Sequence, residues 1–391
     1  MTMKIQQQIL FNGHPYSHQQ RLWWSNPTNP DCPLSKFIGN EEALRRLQRA
    51  AFQAFGRPNH CCATGFAFYG PGSVGKTTLA KLFAETLMLP FVSVEPQSID
   101  SLHDLFELIK KELTNPIMID GVAHDVSLVE NDGKYILPPI VIFIDEVHNL
   151  KSRIEQGLLK ATEPKDRMMV TEKGAIIDCT NVCWIIATTE RGDMFQPFDS
   201  RFQKINLRLY TRVEMAKIVK LANSDFPDKV CAEIARYCPQ LPREAIAFAN
   251  DLRIEVEMSE ASDSWTTVIK RVAADHGIDE FGMTLQRLEI LKALGQCPVS
   301  AAQLPFVTQT NEAELQKFIL PPLQTRTPDQ PMPLVMVSSK GYTITPAGLD
   351  ELNRRKIPNV GIQAMPEQTR QVFEALMGRS DTRMQLPVES N

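Results

Sequence analysis

Three short stretches of this sequence carry residue types that can act on a phosphate ester. The first is Gly70-Pro71-Gly72-Ser73-Val74-Gly75-Lys76-Thr77-Thr78. Its glycines let successive backbone N–H groups turn inward around phosphate oxygens, and a helix starting at its end adds partial positive charge. Lys76 is then placed to meet the β- and γ-phosphates of a nucleoside triphosphate, and the Thr77 hydroxyl to ligate Mg²⁺. The second stretch is Asp145-Glu146, which closes an apolar run from Ile140. Asp145 would hold Mg²⁺ through water, and Glu146 would orient and polarise the attacking water, a task a phosphate-binding loop does poorly by itself. The third, Thr188-Thr189, could bring a hydroxyl near the γ-phosphate, although threonine is also simply a good strand former. Arg201 in PFDSRF and Arg243 in LPRE could each meet phosphate. Read alone, each fits a surface arginine more readily than a phosphate ligand.

Such residues act together only if strands and helices bring them to one place. Gly65 to Tyr69 is apolar enough for a buried strand, and TTLAKLFAETLM after the glycine loop has helical spacing. Strand, loop, helix is the context a phosphate-binding turn requires. IVIFIDE and NVCWIIATT are almost wholly apolar, as expected of central strands covered on both faces. Between them the pattern predicts a helix over about 153–162 and a hairpin in RMMVTEKGAIIDCT. FVSVEP reads as a further strand, followed by an amphipathic helix over about 99–113. Alternating strands and helices of this kind imply an α/β fold with a parallel, doubly wound sheet.

Around this core the chain changes character. The segment 1–34 is rich in Gln, Asn and Pro and reads as an extended N-terminal arm, with Trp23 and Trp24 as packing anchors. The α/β domain is expected over 35–210, with a hairpin-like insertion at about 115–139 marked by the turn signals Asp120-Gly121 and Asp132-Gly133. From 211 to 276 the periodicity is helical throughout, with breaks at Asp225-Phe226-Pro227 and Cys238-Pro239, which predicts a small helical domain. Over 277–357 three helices precede the short hairpin VMVSSKGYTIT and then PAGLDELNRR, the order of a winged helix. The polar tail 358–391 is expected to be disordered.

Composition narrows the class. In 391 residues the hydrophobic share is 43% and the charged share 23%, those of a water-soluble globular chain. No apolar run is long enough for a transmembrane helix, and the N-terminus lacks the pattern of a secretory signal, so a cytoplasmic chain with no membrane partner is expected. None of the 8 cysteines is spaced as CxxC, and the histidines show no ligand spacing, so reduced structural thiols are expected. A net charge of −4 argues against a generally basic surface while leaving room for a local nucleic-acid patch.

Taken in order, FIGNEEAL, FYGPGSVGKTTLA, VIFIDEVHNL, IIATTERG, PFDSRF, the tyrosine of LRLYT and LPREA resemble the RuvB family of bacterial Holliday-junction branch-migration motors, AAA+ ATPases. His148, close after Asp145-Glu146, and the paired Thr188-Thr189 match that family more specifically than AAA+ proteins at large. The similarity runs from about Phe37 to Leu352. The resemblance implies an AAA+ P-loop domain, a helical lid and a C-terminal winged helix, with ATP and Mg²⁺ as cofactors. By that likeness Lys76 and Thr77 belong to Walker A, Asp145 and Glu146 to Walker B, and Thr189 is sensor 1. Arg201 is the finger that acts on the neighbouring subunit's ATP, and Arg243, after Pro242, is the sensor 2 arginine. Ile38 and Tyr210 join Gly70 to Thr78 among the nucleotide-binding positions. A finger acting in trans demands head-to-tail contacts that close into a ring, a hexamer in the family.

The chain also departs from the family's pattern. The loop reads GPGSVGKT where GPPGLGKT is usual, and the usual glycine-threonine before Pro242-Arg243 is missing. The hairpin that in the family docks on the partner RuvA is shorter and differently composed, the stretch at about 115–139 has no counterpart, and the wing offers only Lys340 in place of an arginine-rich tip. The expected function is therefore a ring ATPase that moves on or remodels duplex or branched DNA. The alternative is an ATP-dependent switch or loader acting on a protein partner, for which the acidic balance and weakly basic wing speak.

Overall fold

The computed structural model describes residues 17–357 apart from 58, 115–116, 120–121, 125–127, 132, 164, 166, 190–193, 239–240, 260–262, 309, 327–329 and 339–340. The polar tail and Lys340 lie outside the described residues. The chain divides into two compact units, Met1–Cys231 with Leu241–Glu244, and Ala232–Gln240 with Ala245–Asn391.

The first unit is built on five parallel strands. In chain order they are β1 (Gly65–Tyr69), β2 (Phe91–Val94), β7 (Ile140–Ile144), β10 (Val182–Thr188) and β11 (Phe202–Asn206), arranged across the sheet as β11-β1-β10-β7-β2. Every residue of β1, β7 and β10 is buried, which is why these strands read as unbroken apolar runs. The spatial order is what the sequence does not display. β10 lies between β1 and β7, with Tyr69 opposite Thr188 and Ile144 opposite Ile186. The strand ending in threonine is thus inserted between the strand that feeds the glycine loop and the strand that ends in the acids, and all three carboxyl ends share one edge of the sheet.

Helices cover both faces. The N-terminal arm supplies α1 (His18–Ser25), and α2 (Glu41–Ala54) follows a 3₁₀ turn at Pro33–Lys36. Within the arm, where an extended segment is expected, His18–Ser25 is helical, and residues 1–16 lie outside the described residues. The reason is local: the Ser17 hydroxyl accepts from the Gln20 N–H while the Gln20 side chain accepts from the Ser17 N–H, a reciprocal cap that starts a helix. Trp23 is 55% exposed, so it is not the packing anchor the sequence suggested. Arg21 instead fastens the helix, its guanidinium lying over the Phe52 ring of α2 at 4.5 Å.

Next come α3 (Lys76–Leu87), α4 (Leu102–Thr114) and α5 (Ser152–Ala161). The stretch expected to form one hairpin-like insertion forms two hairpins. They are β3 (Ile117–Ile119) with β4 (Val122–His124), and β5 (Val129–Asn131) with β6 (Lys134–Ile136). The second does not stand apart. β6 pairs in parallel with β9 (Ile176–Asp178), which forms the anticipated hairpin with β8 (Met168–Val170), giving a four-stranded accessory sheet β5-β6-β9-β8. Alternation decides its faces. Tyr135, Ile177 and Met169 pair across one face, where Ile177 and Met169 are fully buried and Tyr135 meets Phe106 of α4 at 5.0 Å. Val129, Val170 and Ile176 lie on the other face and are exposed.

The unit continues through the short α6 (Gln196–Asp199) to α7 (Arg212–Ala222) and into α8 (Asp228–Tyr237). The second unit holds most of α9 (Pro242–Met258) and then α10 (Trp265–Asp275). It goes on with α11 (Leu285–Gln296), α12 (Leu304–Thr308) and α13 (Glu312–Glu314), which leads through a π-helical turn at Leu315–Ile319 into α14 (Leu320–Gln324). The hairpin of β12 (Val335–Ser338) and β13 (Gly341–Ile344) precedes α15 (Pro346–Arg354). Val299 bridges to Tyr342 on the free side of β13, widening the hairpin at its base. Leu288, Leu291, Leu304, Leu320, Val335 and Leu349 share one apolar core beneath it. Three helical segments followed by a two-stranded wing over a common core is the winged-helix arrangement. No described helix is long and apolar enough to cross a membrane.

Candidate active site

The glycine loop joins β1 to α3, and its backbone is held in unusual conformations. Gly75 has φ +85° and Ser73 φ +62°, both in the left-handed region. At Gly75 an added Cβ would also press on Phe37 at 3.2 Å and the Tyr210 hydroxyl at 3.4 Å. At Gly70 it would meet the Leu207 carbonyl oxygen at 2.8 Å. Both glycines are thus required by the turn itself. Ser73 tolerates the same region without that relief, at a cost on the order of 1–2 kcal/mol. The Tyr210 hydroxyl donates to the Val74 carbonyl at 2.8 Å and so ties the loop to the segment after β11. Burial pushes the Tyr210 phenol well above its ordinary range, so it stays a donor.

Lys76 opens α3 and is only 6% exposed. Its Nζ donates to the carbonyls of Gly70 at 2.9 Å and Pro71 at 3.1 Å, and lies 3.9 Å from Glu146 Oε1. Burial lowers its pKa, and the Glu146 and Asp145 carboxylates pull it partly back. A lysine bonded only to loop carbonyls and a distant carboxylate is a cation without a close counter-ion, the condition for taking up a phosphate. Beside it the Thr77 hydroxyl donates to Asp145 Oδ2 at 2.8 Å. A hydroxyl and a carboxylate in contact form the hard oxygen set that suits Mg²⁺.

Glu146 leaves β7 with φ +44°, which turns its side chain across the strand ends. There its Oε2 accepts from the Thr189 N–H at 3.2 Å and the Thr189 hydroxyl at 3.1 Å. The His148 Nδ1 sits 3.4 Å from the same oxygen and 2.9 Å from the Thr188 hydroxyl. Thr189 stands one residue past the end of β10. The strand order accounts for this meeting: β10 and β7 are hydrogen-bonded neighbours, so what leaves one end meets what leaves the other.

Lys76, Thr77, Asp145, Glu146 and Thr189 are therefore brought into one cluster. Gly70 to Gly75 form its loop, with Phe37 and Tyr210 against Gly75 and half-buried Ile38 beside Phe37 in the chain. Thr78 is exposed on the first turn of α3, and Pro242 and Arg243 open α9, Arg243 exposed. Among the described residues no hydrogen bond or ion pair links Arg201 or Arg243 to the cluster. Arg201 pairs with Glu163 at 3.2 Å instead.

Two contributions were not foreseen. His148 was noticed as a family mark, yet its bond to Thr188 depends on strand order and is invisible in one dimension. The other is a clasp behind the loop. Asn40, at φ +50°, exchanges bonds with the backbone of Arg208, accepting from its N–H at 2.8 Å and donating to its carbonyl at 3.3 Å. Arg208 in turn grips Glu214 through two bonds of 2.8 and 2.7 Å. Burial alone would raise the Glu214 carboxyl, but the bonds from Arg208 and from the Thr211 N–H hold it below its ordinary range. The Gly39-Asn40 pair before a helical run was the available signal.

With this geometry in place the sequence can be set beside known proteins. Residues 66–209 match the ATPase family associated with various cellular activities (AAA). The Holliday junction branch migration complex subunit RuvB of Campylobacter hominis is 29% identical over 284 residues, 68% of this chain and 76% of that protein. The chain carries an AAA ATPase domain and is similar to RuvB. RuvB of Ehrlichia canis is 27% identical to this RuvB-like chain over 270 residues, covering 66% of it and 74% of the relative. The solved structure of the Thermotoga maritima RuvB Holliday junction branch migration motor superposes with a TM-score of 0.62 at 22% identity, covering 82% of this chain and 96% of that one. At that identity the likeness is one of fold, and it extends past the AAA match into the RuvB-like chain's winged helix.

Proposed function

We propose that the chain couples ATP hydrolysis to movement on, or remodelling of, branched duplex DNA, as one subunit of a ring. The single observation that carries this reading is the meeting of Lys76, Thr77, Asp145, Glu146 and Thr189 at three adjacent strand ends, in a chain similar over 68% of its length to a branch-migration subunit. On this reading Lys76 would trade its loop carbonyls for the β- and γ-phosphates, and Thr77 with Asp145, the latter through water, would hold Mg²⁺, which would supply charge neutralisation for phosphoryl transfer. Glu146 orients the attacking water, and Thr189 fixes the carboxylate that does so. Ile38, Phe37 and Tyr210 line the base end. Arg243, at the first turn of α9, reaches the γ-phosphate of the same subunit as sensor 2, and Arg201 that of the next subunit. A head-to-tail ring follows from a finger in trans, six subunits by likeness to the family. The winged helix would meet DNA through phosphate contacts that position it. All eight cysteines are free thiols, which suits work in the cytoplasm.

The test is steady-state ATP turnover with and without duplex and four-way junction DNA, over a range of salt. Stimulation by junction DNA, weakening steeply as salt rises and lost in Glu146→Gln and Arg201→Ala, is the expected result. Turnover indifferent to every DNA, with both variants still inactive, would overturn the DNA assignment and leave an ATPase directed at a protein.

A further inference from the structure

Arg201 sits at the end of a short, firmly held segment. Phe195, which precedes α6, donates its backbone N–H to the carboxylate of Glu155, a buried residue of α5. Asp199, at the end of α6, is held by the Tyr69 hydroxyl from the tip of β1 and by Lys204 of β11. The Arg201 N–H closes the turn onto the Phe198 carbonyl at 3.1 Å. The backbone is thus fixed from α5, β1 and β11, and fixing it leaves the long arginine side chain free to rotate.

The guanidinium has a different arrangement. Its Nη2 donates to Glu163 Oε1 at 3.2 Å, just past the end of α5. Its Nε is buried and makes no hydrogen bond. Glu163 itself is anchored through its backbone, its carbonyl accepting from Arg167 Nε at 2.8 Å, and Arg167 is buried against the carbonyls of Val182 and Ala63. A carboxylate on a fixed backbone therefore grips one arm of the guanidinium, while the buried Nε has no hydrogen-bond partner among the described residues.

We infer that Glu163 is a positioning residue for the arginine finger. It holds the Arg201 fork in the rotamer that presents its remaining donors to the γ-phosphate of the neighbouring subunit. The inference rests on the reading of Arg201 as a finger acting in trans. A guanidinium already oriented loses less freedom when it engages, which lowers the barrier to hydrolysis without altering how tightly ATP binds.

The experiment is subunit doping of the full-length chain. Wild-type protein is titrated with Lys76→Ala subunits, whose own site is dead but whose finger is intact. Parallel titrations use Lys76→Ala combined with Glu163→Ala, Glu163→Gln or Arg201→Ala. Donors carrying Glu163→Ala are expected to lower kcat at the wild-type sites about tenfold below the Lys76→Ala mixture, with KM for ATP unchanged. Glu163→Gln keeps a carbonyl oxygen for Nη2 and should restore most of that loss, which a merely structural role would not. Glu163→Asp retracts the oxygen by one methylene and should show the same deficit if the alanine variant does not fold. If Arg201→Ala donors suppress turnover while Glu163→Ala and Glu163→Asp donors match Lys76→Ala alone, the role of Glu163 is refuted and the finger stands. If Arg201→Ala donors are no worse than Lys76→Ala, the shared site itself falls and the inference with it.

Discussion

The central sheet and the accessory sheet of the first unit are both built from β-strands, yet they behave as opposites. β1, β7 and β10 run five to seven residues, are buried on both faces and end at the nucleotide cluster. β5, β6, β8 and β9 have three residues each, and one face of their sheet stays open to solvent. The contrast shows how chemistry and shape are apportioned. A reacting cluster needs side chains held within fractions of an ångström, and long strands locked in a core supply that rigidity. A short sheet at the periphery can be lengthened or rebuilt without disturbing the cluster, and here it takes in the β5–β6 hairpin through the pairing of β6 with β9.

Substitutions can break or sharpen this contrast. The largest effect belongs at the central strand ends. Lys76→Ala should cost roughly a hundredfold or more in ATP turnover, because it removes the one cation placed inside the glycine loop. Glu146→Gln should reduce turnover comparably while nucleotide affinity persists, measurable by titration with a fluorescent nucleotide. If Lys76→Ala leaves both affinity and turnover intact, the cluster is not the nucleotide site.

The accessory sheet should respond to position within the pleat and leave catalysis alone. Ile177 is fully buried and Ile176, its neighbour, is 40% exposed. Ile177→Ala should lower stability to urea by about 3 kcal/mol, and Ile176→Ala by no more than about 0.5 kcal/mol. Equal effects would mean that the register assigned to β9 is wrong by one residue.

A smaller effect than that at Ile177 lies in the clasp behind the loop. Glu214 has its carboxyl held below the ordinary value of 4.5 once folded. Its contribution is therefore complete above about that pH and is lost as the pH falls through the lower folded-state value. Glu214→Gln should cost about 1 kcal/mol near neutral pH, and the gap from wild type should close as the pH drops below 4.5. A gap independent of pH would show that the Arg208–Glu214 pair does not carry it.

These differences also mark what could be read in one dimension. Strands buried on both faces announce themselves as apolar runs, so β1, β7 and β10 were legible, as were the glycine loop and the acids at Asp145-Glu146. A heterologous pairing such as β6 with β9, separated by about forty residues of sequence, leaves no local mark, and three-residue strands are too short for alternation to be decisive. The helix at His18–Ser25 was missed for another reason. Its Ser-x-x-Gln cap is a helix-start signal, but it sits among Gln, Asn and Pro residues whose composition points to extended chain. Neither the Glu163–Arg201 pair nor the place of β10 between β1 and β7 can be inferred from spacing, because both depend on the order of strands across the sheet.

The central claim is that each subunit holds most of a hydrolysis site and borrows one arginine from its neighbour. It is tested most directly by ATP turnover per subunit as protein concentration is raised from dilute solution, for wild type and for Arg201→Ala. The account predicts that wild-type turnover climbs with concentration to a plateau while Arg201→Ala stays flat and low, yet binds ATP as tightly. Turnover per subunit that is constant at every dilution, and equal in Arg201→Ala, would contradict it.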